Sequence, residues 1–161
     1  MEVRVAIADD VDAVIRVGTE AWWATYAPLA GDDYVRSGIE RWWSREAIAR
    51  GIETGRTLVA ETDAGVIGMA SWSLLEDDDA VMLWKLYVLP EAQGSGAGRG
   101  LVHAVVVAAG DRPVRLTHVV GNAGAHGFYE RLGFRETGRK PSPIRGGPEE
   151  MCMERPATTA P

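Results

Sequence analysis

A single cysteine, Cys152, stands in 161 residues. One thiol excludes an internal disulfide and any zinc site built on cysteines, and it fits a reducing compartment. Basic runs are missing as well: 17 Lys and Arg against 23 Asp and Glu leave a formal charge of −6. Without a cationic stripe the chain lacks the electrostatic footprint of a nucleic-acid binder, while a basic or amine-bearing partner stays open. No apolar run approaches the roughly 18 residues needed to cross a bilayer; the longest, Leu101 to Ala109, is interrupted by His103. Met1-Glu2-Val3-Arg4 has no signal-peptide core, so the expected location is the cytoplasm, with no membrane contact. Repeats and internal linkers are also absent. What is there is an ordinary globular balance, 46% hydrophobic and 25% charged. At this length a single core buries enough surface without staples. The expectation is one domain over residues 1–155, with a short frayed tail at 156–161.

The periodicity reads as alternating element types. Val3, Val5 and Ile7 alternate on one face of a first strand. Asp9 or Asp10 then caps a helix that carries Val11, Val14, Ile15, Gly18, Ala21 and Trp22 and is broken by Pro28 and Gly31. A second helical region runs from about Asp33 to Arg50, closed by Gly51 and Gly55. Arg56–Thr62, Val66–Leu75 and Ala80–Leu89 read as three antiparallel strands, because Asp63-Ala64-Gly65 and Glu76 to Asp79 are too short for a crossover. A glycine-rich loop, an apolar helix (about Arg99–Ala109), a strand (Val114–Val120) and a helix (Gly124–Leu132) follow. Two last strands, Phe134–Gly138 and Glu149–Glu154, complete the chain. The order β-α-α-β-β-β-α-β-α-β-β predicts an α/β (α+β) fold, a mixed sheet with helices packed on it. Its βαβ unit sets the strand ending at Leu89 parallel to the strand starting at Val114.

Gln93-Gly94-Ser95-Gly96-Ala97-Gly98-Arg99-Gly100 is the most informative segment, with four glycines in seven residues between a strand and a helix. Such a loop aims backbone N–H groups at one point, and the helix N-terminus adds partial positive charge, so the segment favours a phosphate. A Walker A loop is excluded because Arg99 and Gly100 occupy the Gly-Lys positions. The dinucleotide fingerprint fails too, with Arg99 or Leu101 where its last glycine belongs. A ligand-free connecting loop is the alternative.

Tyr87-Val88-Leu89-Pro90-Glu91-Ala92-Gln93-Gly94-Ser95-Gly96-Ala97-Gly98 resembles the acetyl-coenzyme A motif of the GNAT N-acetyltransferases, whose Gln/Arg-x-x-Gly-x-Gly/Ala is filled by Gln93, Gly96 and Gly98. Asn122-Ala123-Gly124-Ala125-His126-Gly127-Phe128-Tyr129-Glu130-Arg131-Leu132-Gly133-Phe134 is similar to the family's second block. The resemblance implies that fold, with a splayed central pair of parallel strands. It implies a pantetheine arm held by backbone groups of Leu86, Tyr87 and Val88, with the Val88 N–H at the acetyl oxygen. It further implies a pyrophosphate on the N–H groups of Gly94, Ser95, Gly96, Ala97, Gly98 and Arg99, with Asn122 at the cofactor and the Tyr129 hydroxyl near its sulfur.

The implied reaction is acetyl transfer from acetyl-CoA to a primary amine of a small molecule or peptide, directly in a ternary complex and without a metal. It needs a route for the amine proton, a donor for the oxyanion, here Val88 N–H, and a proton for the leaving thiolate, here Tyr129. Many relatives carry a glutamate on the strand before the loop, but Val81-Met82-Leu83-Trp84-Lys85-Leu86 has none. Glu76 to Asp79 either reach the site or form a solvated turn. His118 is a second candidate base or a packed core residue, with His126 and His103 behind it; otherwise the proton leaves through water. Trp22 and Tyr26, with Trp23, Trp42 and Trp43, either wall the acceptor beside Asp32 and Asp33 or divide between core and a homodimer interface. Trp84 shapes the acceptor pocket. The missing strand carboxylate also motivates a different class, a non-catalytic sensor that binds acyl-CoA. A third reading is another nucleotide binder that uses the same loop.

Overall fold

The computed structural model describes residues 1–157. Of the expected tail at 156–161, residues 158–161 lie outside the described residues. Seven strands form one sheet: β1 (Glu2–Val5), β2 (Thr57–Thr62), β3 (Gly65–Leu75), β4 (Ala80–Val88), β5 (Val114–Val119), β6 (Arg135–Lys140) and β7 (Glu150–Arg155). Their order is β1-β2-β3-β4-β5-β7-β6. Only β4 and β5 run parallel, as the crossover rule requires; every other neighbouring pair is antiparallel.

Helices cover both faces. One core joins α1 (Val11–Ala30), α2 (Asp32–Trp42) and α3 (Arg45–Glu53) to the sheet through Val14, Val17, Val35, Ile48, Val59 and Met69. The other packs α4 (Ala97–Ala109) and α5 (Ala123–Arg131) on Leu58, Val81, Leu83, Leu116 and Met153. Burial of α1 largely follows the spacing read from the sequence: Val11, Val14, Gly18, Ala21 and Trp22 are buried, Ile15 is half-buried and Val17 joins the buried face.

Three expectations are corrected. Pro28 does not end α1, which continues to Ala30; so near the C-terminus a proline forfeits one hydrogen bond, and Gly31, at φ +86°, makes the stop. The second helical region is two helices, not one. Trp43 turns into the core, and Ser44 caps α3 by accepting a hydrogen bond from Ala47 N–H at 3.2 Å. In β1 the apolar alternation does not mark a core face, since Val5 and Ile7 are exposed and Ala6 is buried. This edge strand ends at Val5, and the chain bends so that Ala6 N–H meets Thr57 C=O at 2.8 Å. Asp10 precedes α1 as expected, yet its carboxylate serves the strand. It accepts two hydrogen bonds from Arg4 (2.7 and 3.0 Å) and one from Ile7 N–H (2.8 Å).

Two glycines seat the buried tryptophans. A Cβ on Gly38 would fall on the Trp22 ring, and one on Gly18 would fall on the Trp43 ring. Helix α1, helix α2 and the turn after α2 are thus locked by indoles resting on bare helix backbone.

Candidate active site

The site begins where the central pair of strands parts. β4 and β5 are paired only through Val81–Val114, Met82–Arg115 and Leu83–Leu116. Beyond that point β4 runs on to Val88, while β5 stays paired with β7 along its other edge from Val114 to Val119. The gap opens into a cavity of about 730 Å³.

A bulge prepares the strand edge that faces this gap. Trp72 pairs with Leu83 and Ser71 with Lys85, so Trp84 has no partner on β3. One extra residue reverses the alternation of backbone groups. Before the bulge, Val81 N–H points to the β5 side and meets Pro113 C=O at 2.9 Å; after it, Leu89 N–H points back to Ile67 C=O at 2.9 Å. The N–H groups of Leu86 and Val88 therefore face the gap left by β5. Both residues line the cavity. The Trp84 indole is largely exposed, donates to Ser73 Oγ at 2.8 Å and also borders the cavity.

At the far end lies the glycine loop. Gly94 and Gly96 have φ of +84° and +91°, which side-chain-bearing residues rarely adopt. Gly96 starts α4 without a side-chain cap, and only Ala97 N–H finds a local acceptor, Ser95 Oγ at 3.3 Å. The remaining first-turn N–H groups have no intrahelical partner. Gly98 serves packing as well: a Cβ there would come within 3.3 Å of Phe128 Cζ. Gln93 through Arg99 all line the cavity, and so does Arg131, which places a second guanidinium there.

Tyr129 is brought to the cavity by α5, whose start is capped by Asn122 Oδ1 accepting from Ala125 N–H at 3.1 Å. The Tyr129 ring is buried, edge-on to Phe128 and Phe134 with centroids 5.3 and 5.6 Å away. Burial pushes its hydroxyl well above the usual tyrosine range. Tyr26 and Tyr87 also line the cavity, and burial raises both phenols.

Other candidates sit elsewhere than expected. Trp22 does not line the cavity: its ring lies in the core behind Tyr26 and Tyr87, at centroid distances of 4.6 and 6.4 Å. The reason is Gly38, which opens a slot that only a flat ring fills. His118 lines the cavity but offers it neither nitrogen; Nδ1 is 3.0 Å from Val119 C=O and Nε2 is 3.0 Å from His126 Nδ1. Both ring nitrogens of His118 are thus already engaged, and burial lowers its pKa. His103 is exposed on α4, away from the cavity. Asp32 and Asp33 are exposed and pair with Arg36. In the acidic turn, Asp78 pairs with Arg115 at 2.8 Å and Asp79 with Arg112 at 2.7 Å.

Thr25, Thr117, Phe128 and Arg131 line the cavity and were not anticipated. Phe128 and Arg131 belong to the second motif block and lie three residues apart on one face of α5, which was the available signal. Thr25 and Thr117 carried none. Among the described residues no group of three His, Cys, Asp or Glu is placed to hold a metal ion, and no helix is long and apolar enough to cross a membrane.

Comparison with known proteins agrees with this geometry. Over 96% of this chain and 98% of the other, the fold matches the PaiA N-acetyltransferase of Thermoplasma acidophilum, solved in complex with coenzyme A, at a TM-score of 0.82 and 23% identity. A GCN5-related N-acetyltransferase of Rhodopseudomonas palustris matches at a TM-score of 0.81 and 19% identity, over 96% of this chain and 94% of the other. In sequence, 80 residues (48% of this chain) are 38% identical to mycothiol acetyltransferase of Actinosynnema mirum, covering 27% of that protein. Another 86-residue match (52% of this chain) is 36% identical to an uncharacterised N-acetyltransferase of Mycobacterium tuberculosis, covering 54% of it. The chain thus spans about a quarter to a half of the length of these curated relatives. Residues 53–136, just over half of the chain, match the family model of the acetyltransferase (GNAT) domain, and the protein belongs to the GNAT acetyltransferase family.

Proposed function

We propose that this chain moves an acetyl group from acetyl-CoA to a primary amine of a small molecule or peptide, directly in a ternary complex. The observation that carries this reading is the parted β4–β5 pair, which opens onto a cavity with a glycine loop at one end and Tyr129 within it.

Each residue has a physical task in that reading. The N–H groups at the start of α4 meet the pyrophosphate, helped by the helix dipole and by Arg99 and Arg131. Leu86 and Val88 offer the pantetheine arm a strand edge, and the Val88 N–H donates to the oxygen on which negative charge builds. Tyr129 donates a hydrogen bond to the departing sulfur. Its pKa lies above the roughly 8.5 of a thiol, so it stabilises the thiolate rather than protonating it completely. With an ammonium as the entering species, one thioester and one ammonium give one amide, one thiol and one released proton. Among the described residues no Asp or Glu lines the cavity, so in this reading the amine sheds its proton to water before attack. Trp84 and Tyr26 border the acceptor end.

The absent carboxylate also fits a sensor that binds acyl-CoA without turning it over. Thiol release from acetyl-CoA, across polyamines, aminoglycosides, amino acids and short peptides, separates the two readings. Tyr129→Phe is expected to lose about 100-fold in turnover while holding acetyl-CoA as tightly as the parent. Unchanged turnover refutes the role of Tyr129. Tight acetyl-CoA binding with no acceptor in any amine class supports the sensor.

A further inference from the structure

His118 and His126 form a pair that the reaction outlined above does not use. Val119 C=O can only accept, so His118 Nδ1 carries a proton and donates it at 3.0 Å. Neutral His118 then has a lone pair on Nε2, and the 3.0 Å bond to His126 requires the proton to sit on His126 Nδ1. On its other side His126 Nε2 lies 3.4 Å from both Glu130 and Glu136, two acceptors. Both nitrogens of His118 and the inner nitrogen of His126 are thereby assigned. The His118 ring, fixed at both ends, lies nearly parallel to Tyr129, 22° between planes and 6.3 Å between centroids. Phe128 and Phe134 hold the same phenol edge-on.

We propose that the His118–His126 pair is a positioning clamp for Tyr129, and that one proton too many on the pair releases the clamp and sets the acid limit of activity. This rests on the reading of Tyr129 as the group that meets the sulfur. A second proton puts N–H on both His118 Nε2 and His126 Nδ1. Two donors then face each other and the bond is lost. The titratable groups facing the pair are Tyr129 and Glu130 on α5 and Glu136 on β6; β7 presents Met151 opposite His118. Glu130 and Glu136 lie on the outer nitrogen of His126, away from the bond to His118. Buried His118 resists the second proton, which enters only as the pH falls below the usual histidine range, about 6.5.

The test compares His126→Ala with His126→Asn. Alanine removes the bond. Asparagine replaces it with an amide that donates through Nδ2 to neutral His118 or, flipped, accepts through Oδ1 from protonated His118, so acid no longer breaks the contact. His126→Ala is expected to lower kcat about tenfold, the scale of a small misplacement of a reacting group, with acetyl-CoA affinity within about twofold of the parent. His126→Asn is expected to restore kcat to within about twofold and to flatten the fall in kcat between about pH 7 and 5. In a Tyr129→Phe background His126→Ala is expected to cost nothing further. The proposal is overturned by a full kcat in His126→Ala, by a parental acid limb in His126→Asn, or by an equal loss with and without Tyr129. Tyr129→Phe alone reports on the Tyr129 assignment, and imidazole titrations by NMR report on the pair without turnover, so the two fail separately.

Discussion

Replacing Gly38 by alanine tests how the N-terminal helices are locked. In most helix interiors Gly→Ala stabilises by about 0.5–1 kcal/mol, because the unfolded chain loses freedom and the helix gains propensity. At Gly38 the new methyl falls on three carbons of the Trp22 ring. The ring cannot step aside freely: Tyr26, Tyr34 and Trp42 sit at centroid distances of 4.6, 5.8 and 5.7 Å. Forced overpacking costs typically 1–3 kcal/mol. Taking the upper end for so close an approach and subtracting the propensity gain leaves a net destabilisation of about 2 kcal/mol. In a domain of this length that lowers Tm by roughly 4–8 °C. Gly51→Ala in α3 is the matched control, since its Cβ meets only Thr57 Oγ1, at 3.5 Å; it is expected to stabilise by about 0.5–1 kcal/mol. Urea titration followed by tryptophan fluorescence, with thermal melts, reads both variants. Because Trp22 backs Tyr26 and Tyr87, acceptor KM is expected to rise in Gly38→Ala while Gly51→Ala keeps parental kinetics. Equal shifts of the same sign in the two variants refute the reasoning.

Two further outcomes follow from the geometry. Gly96→Glu forces a side chain into φ +91° and sets a carboxylate against the pyrophosphate site; calorimetry is expected to find acetyl-CoA affinity reduced about 100-fold or more, with the circular dichroism spectrum intact. Asp10→Asn is expected to cost about 2 kcal/mol at neutral pH, read by urea titration, because the buried carboxylate accepts from Arg4 and Ile7 N–H. The Arg4 guanidinium holds the Asp10 carboxyl below its usual range. A carboxyl depressed in the folded state contributes stability above the unfolded value of about 3.9 and loses it as the pH falls toward the folded one. Stability of the parent is therefore expected to drop more steeply than that of Asp10→Asn below about pH 4, and parallel acid profiles for the two count against this role.

Much of the fold was legible because its signals are local. Strand alternation, helical spacing and turn residues act over a few positions, and they placed most elements within a residue or two. The glycine loop was legible for the same reason: Gly94 and Gly96 adopt backbone angles rare for other residues, so composition marked the loop and, with the second motif block, its resemblance pointed to the family. What failed had the opposite character. Pro28 reads as a stop, yet its effect depends on how few helical bonds remain beyond it. Val5 and Ile7 read as a core face, yet an edge strand that ends early leaves them in solvent.

The sequence by itself determined the element types, the glycine loop between a strand and a helix, and the presence of Tyr129 in a recognisable block. The tertiary structure decided which side chains meet. Pairing of β3 with β4 creates the bulge at Trp84 and turns the Leu86 and Val88 N–H groups toward the gap. A glycine on a different helix seats Trp22 in the core, away from the cavity. A histidine on α5 engages the outer nitrogen of His118. These partners lie on separate elements. Periodicity tells which face of an element is buried, and only packing tells what that face is buried against.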